Sequence, residues 1–136
     1  MFRNRLSAAS STSIYCANPP SSFAYPSPQC FVGPPIWANK QWVGKIYPSN
    51  AKEKDFLYYY TRQFNTIELN VTHYQIPNEA TVQRWKEAAH KDFRFCPKWP
   101  QEISHDRQLI GCEALSQAFT QAVLGLGENL GTTFCN

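Results

Sequence analysis

Strand-like and helix-like stretches alternate along most of this chain, and that alternation limits the fold more than any single motif does. Residues 29–33 read as a first strand, stopped by Gly33-Pro34-Pro35. An aromatic loop runs to Pro48, and Ser49 or Asn50 then offers an N-cap for a helix over 51–64. That helix carries Phe56, Leu57, Tyr60 and Phe64 at helical spacing, and the run Tyr58-Tyr59-Tyr60 reads as rings packed over a sheet. A second strand is expected over 66–71. Asn78 is a good cap for a helix reaching about residue 90, with Val82, Trp85 and Ala89 on its buried stripe. Residues 93–96 form a third strand ended by Pro97, and 111–124 a third helix with Cys112, Leu115, Phe119, Ala122 and Val123 on one face. Gly125 and Gly127 close that helix, and 131–135 reads as a fourth strand.

Such an order implies right-handed crossovers and a parallel sheet. Four strands and three helices are about half of a (β/α) barrel, which usually takes about 250 residues. The 136 residues here are too few to close one. The expected fold is α/β over 29–136, either an open four-stranded sheet or the first half of a barrel.

Residues 1–28 have a different composition: seven serines, four prolines, Arg3 and Arg5, and no acid. A segment of this kind buries too little apolar surface to fold, so a disordered leader is expected. It has no apolar signal core, although its Arg and Ser content resembles an organelle transit peptide. The net charge is +3, of which the leader supplies two, leaving eleven Lys or Arg against ten Asp or Glu. That balanced body lacks the basic stripe of a nucleic-acid binder. No apolar run approaches the roughly 20 residues of a membrane span. Five separated cysteines without a C-x-x-C pair fit neither a disulfide framework nor a zinc ribbon, and read as reduced thiols of an intracellular, cytoplasmic protein.

The chemistry concentrates at 65–74, N-T-I-E-L-N-V-T-H-Y. Ile67, Leu69 and Val71 alternate with Thr66, Glu68 and Asn70, giving a strand with unlike faces. A carboxylate and an amide aimed into a covered interior cost free energy unless polar groups meet them. Two readings stay open: a solvated edge face, or a site at the C-terminal end of the strand, where α/β folds place their chemistry.

W-V-G-K-I-Y-P, F-N-T-I-E-L-N-V-T-H-Y and F-R-F-C-P-K-W-P-Q-E-I-S-H occur in that order and at the spacing found in the YecE-like family, the domain of unknown function numbered seventy-two. The chain resembles that family over about 31–134. The resemblance implies the N-terminal half of a TIM-like (β/α) barrel whose activity is not established. It departs from the family at Pro34-Pro35-Ile36, where small residues are common, and in everything beyond the fourth strand. The family pattern matches at Glu68, Asn70, Lys98 and His105.

In a barrel, Glu68 and Asn70 would face inward at the top of the second strand, with Lys98 at the top of the third and His105 in the loop beyond. Trp37 and His73 would stand around the rim. Glu68, Lys98 and His105 are thus candidate acid–base groups, and Asn70, Trp37 and His73 candidate ligand contacts. A carboxylate beside an ammonium in a dry pocket suits proton transfer to a small polar ligand, anionic or sugar-like. The same two residues would also serve as an ion pair that merely sets the interior. No metal or other cofactor is expected, since Glu68, His73, Cys96 and His105 match no standard ligand spacing. Asn70-Val71-Thr72 spells a glycosylation acceptor by chance, and the glycines at 125, 127 and 131 miss a dinucleotide fingerprint. A half-barrel would leave strand edges open, inviting self-association or a completing partner, with no catalysis of its own.

Overall fold

The structure, a computed structural model, describes residues 29–135 and the backbone of 13–16. Its elements are β1 (Ser13–Cys16), β2 (Cys30–Gly33), α1 (Phe56–Gln63), β3 (Thr66–Leu69), α2 (Val71–Tyr74), α3 (Glu79–Ala88), β4 (Arg94–Pro97) and α4 (Glu113–Leu124). Short 3-10 turns precede α1 and follow α4, and a π-helical turn, Glu102–Asp106, follows β4.

The fold is mixed α/β, and its regular parallel sheet consists of β3 and β4, with Thr66 opposite Arg94 and Leu69 opposite Pro97. The expectation of four parallel strands is corrected at both ends. Leu130 and Phe134 bridge in parallel to Phe95 and Lys98. Three steps along β4 thus span four along its neighbour, and one surplus residue is enough to interrupt a ladder. Hydrogen bonds from Gly131 N to Phe95 O (2.7 Å) and from Trp99 N to Phe134 O (2.9 Å) still hold this segment in place.

On the other side, β2 joins β3 through a side chain. Asn65 Oδ1 accepts from Val32 N (2.7 Å) and its Nδ2 donates to Cys30 O (2.9 Å), so one amide stands in for a peptide unit of the neighbouring strand. The approach is close. A Cβ on Gly33 would collide with the Thr66 carbonyl oxygen and come within 2.6 Å of the Tyr60 hydroxyl.

β1 pairs antiparallel with β2. Ser13–Cys16 therefore departs from the expected disordered leader. Ile14 and Tyr15 are strand-favouring types, and β2 offers an edge for them to complete. The rest of that leader, including its resemblance to a transit peptide, lies outside the described residues.

Ile67, Leu69, Phe93 and Phe95 share one face of the parallel pair and form the core with Leu57 and Tyr60 of α1, Val82 and Trp85 of α3, and Leu126. Complete burial of Ile67 or Phe95 is worth about 1.5–3 kcal/mol each. Thr66 and Cys96 lie on the opposite face, Oγ1 to Sγ 3.4 Å, and strand alternation puts Glu68 and Arg94 there too. The tyrosine run behaves as expected at Tyr60, which is fully buried, while Tyr58 is exposed. No described helix is long and apolar enough to cross a membrane.

Local signals explain the helices only in part. Asn78 caps α3 as expected, accepting from Thr81 N (2.9 Å). The first helix starts later than expected: 51–55 hold no large apolar residue to bury, and α1 begins at Phe56 without a side-chain cap. Its C-terminal end is tied to α3, because Thr61 Oγ1 and Arg62 Nη1 both donate to the last α3 carbonyl, Ala88 O. The left-handed glycine after α4 is Gly127 (φ 57°), not Gly125 (φ −59°).

Candidate functional site

The second strand ends two residues sooner than the expected 71, and that early stop creates the site. Asn70 has helical dihedrals (φ −64°, ψ −24°), and α2 begins at Val71. Alternation alone would continue the strand through Val71, but hydrogen bonds across the strand tops favour the turn. Thr72, with no exposed surface, places its hydroxyl 2.8 Å from Leu69 O and 2.7 Å from Lys98 O. One hydroxyl hydrogen serves one carbonyl at a time, and both bonds pull α2 onto the ends of β3 and β4.

His73 follows and is 8% exposed. Its Nδ1 lies 2.8 Å from Trp99 O. A carbonyl oxygen only accepts, so Nδ1 carries the hydrogen and the neutral ring has its lone pair at Nε2. No buried side-chain nitrogen or oxygen among the described residues lacks a partner. Nε2 has none, so it is not fully enclosed, and His73 lines a cavity of about 420 Å³. The His105 ring sits edge-on to His73 at 5.3 Å, with its Nδ1 2.7 Å from Ser104 Oγ.

The rest of the cavity comes from the residues after each strand. Tyr74, Gln75 and Ile76 line it from the α2 side; Pro100, Gln101, Glu102 and Asp106 line it from the loop and π-turn after β4, and Leu115 of α4 closes it. Glu102 is bound by Arg107, whose Nε and Nη2 both donate to Oε1 (2.9 and 2.6 Å). The loop behind carries strain, since Gln108 and Leu109 both have positive φ (48° and 68°).

Of the six residues singled out from the sequence, the structure brings together His73 and His105. Glu68 and Lys98 belong to the face opposite the core by strand parity. Their side chains form no ion pair or hydrogen bond among the described residues; the contacts of both are made by the backbone, Glu68 O accepting from Asn70 N and Lys98 O from Thr72 Oγ1. Asn70 is half-buried and has left the strand, so the expected inward pair of Glu68 and Asn70 is not built by β3. Trp37 is away from the cavity. It packs edge-on to Trp85 at 6.3 Å, and its carbonyl accepts from Tyr47 Oη (2.8 Å).

Thr72, Tyr74, Glu102 and Asp106 escape the sequence reading, which treats both segments as loops. The available signal was a second histidine following the next strand, without any periodicity to say that the two rings meet. Among the described residues there is no cluster of three or more His, Cys, Asp or Glu fit to hold a metal ion.

The family model described as "Protein of unknown function DUF72" matches residues 31–136. The UPF0759 protein YecE of Escherichia coli K12 is 35% identical over 101 residues, covering 74% of this chain and 35% of that protein. YecE of E. coli O157:H7 matches to the same extent. The chain thus spans about a third of the length of these curated relatives. A crystal structure of a DUF72 family protein from Enterococcus faecalis V583 matches with a TM-score of 0.53 at 24% identity, over 73% of this chain and 35% of that one, a likeness of fold alone.

Proposed function

The chain belongs to the DUF72 family, and from that premise we propose that it forms part of a TIM-like (β/α) barrel that binds a small polar ligand at the C-terminal ends of β3 and β4. Alternating elements, the parallel β3–β4 pair and the fold likeness support the barrel reading. One observation carries the site: a buried histidine, oriented through Nδ1 by a backbone carbonyl, lines a cavity at the strand tops and leaves its Nε2 without a protein partner. Such an imidazole accepts a hydrogen bond from a ligand hydroxyl or amine, and suits proton abstraction. The His105 ring packs edge-on against the same imidazole, and Glu68 and Lys98 supply polar groups to the interior of a completed barrel.

A saturation-transfer NMR screen of small sugars, carboxylates and phosphates tests this on the 136-residue chain and its His73→Gln variant. Compounds that bind the parent and lose at least tenfold in affinity on the variant are expected. Undiminished binding to His73→Gln, or no binding by any compound, would remove the site.

A second reading comes from the sheet. Among the described residues, the outer edge of the Leu130–Phe134 segment pairs with no further strand. An open edge of this kind pairs with another chain, so the unit works as a strand-pairing partner as well as a ligand site.

A further inference from the structure

We infer that the cavity beside His73 takes a neutral, hydroxyl-rich, sugar-like ligand rather than an anion, an inference that rests on the binding role proposed above. The charge of the lining carries the argument. Glu102 and Asp106 both line the cavity, and among the described residues neither Lys nor Arg does. The neighbouring cation, Arg107, is committed to Glu102 through two N–H groups and to Gly111 O through a third (3.3 Å). Asp106 has no ion-pair partner among the described residues. A phosphate or carboxylate entering here meets an unpaired carboxylate at short range, where like charges repel.

Hydroxyl groups suit the same surroundings. A hydroxyl both donates and accepts, which matches the acceptors His73 Nε2 and Asp106 and the two-sided amides of Gln75 and Gln101. The apolar part of the lining comes from Ile76, Pro100, Leu115 and the Tyr74 ring, which is 78% exposed. An exposed ring beside paired acceptors meets a ligand with a C–H face and an O–H rim. The volume of about 420 Å³ lies at the small end of ligand sites and admits a molecule of one or two rings.

The experiment is a ¹H–¹⁵N titration of the 136-residue chain at pH 7.5, reading the amides of Tyr74, Gln75 and Gln101. The probes are glucose, galactose, mannose and inositol, then inorganic phosphate and citrate, then ethanolamine. At least one neutral polyol is expected to give saturable shifts, with a Kd tenfold or more below those of phosphate, citrate and ethanolamine. Asp106→Ala should raise that Kd at least fivefold, with the far-UV spectrum unchanged. Tighter binding by phosphate, citrate or ethanolamine would overturn the ligand class while leaving the site standing. Silence from every probe would overturn class and site together, as would polyol binding that Asp106→Ala leaves intact.

Discussion

Thr72→Val removes one hydroxyl and keeps the shape. The hydroxyl stands between Leu69 O and Lys98 O at 2.8 and 2.7 Å, and the residue has no exposed surface. With a single hydrogen it makes one net bond, worth about 0.5–1.5 kcal/mol. After substitution Leu69 O still accepts from Lys98 N at 3.4 Å. Lys98 O, part-buried beside the fully buried Thr72, loses its side-chain donor, and an acceptor left without a partner there costs about 1–3 kcal/mol. The expected loss is therefore about 2 kcal/mol, a fall of roughly 8 °C in Tm for a domain of this size. Thr72→Ser keeps the hydroxyl and sheds one methyl, about 0.8 kcal/mol. Thermal unfolding followed by circular dichroism should rank the parent above Ser and Ser above Val. A Val variant within 1 °C of the parent, or more stable than Ser, would refute the idea that this hydroxyl clips the strand tops.

Tyr47 and Tyr60 are 2% and 0% exposed, and burial pushes both phenols well above their ordinary range, Tyr60 further because Tyr47 lies close. The folded chain therefore keeps two protons that the unfolded chain releases near pH 10, so stability is intact below that pH and falls above it. The slope is about 1.4 kcal/mol per pH unit for each tyrosine, and the urea midpoint should drop steeply between pH 10 and 11; a flat midpoint would contradict it. The open edge of Leu130–Phe134 predicts self-association of the 136-residue chain. Size-exclusion chromatography with light scattering should show dimers or larger species growing with concentration, and a monomer at all concentrations would count against the second reading.

What local chemistry encodes was readable from the residues. Asn78 caps α3 because an Asx side chain reaches the amide three residues on, a bond that needs no distant partner. Ile67, Leu69, Val82 and Trp85 are core residues because their spacing repeats with the period of the element that carries them. The site was legible in pieces. His73 and His105 were both singled out, but as a rim contact and an acid–base group with no relation to each other. Their contact depends on α2 and the π-turn folding toward the same cavity, 32 residues apart in the chain.

The alternation of short apolar strands and amphipathic helices determined an α/β chain with parallel pairing by itself, since the two periodicities differ and crossovers run one way. Tertiary structure alone decided where β3 stops, because the favourable turn at Asn70 draws on carbonyls of Lys98 and Trp99 from the neighbouring strand top. It also decided that Asn65 replaces a stretch of ladder, that Trp37 packs against Trp85, and that Glu68 and Lys98 share a face without pairing. Each outcome turns on a partner far away in the chain, and periodicity reports only which face a side chain takes, never what waits for it there.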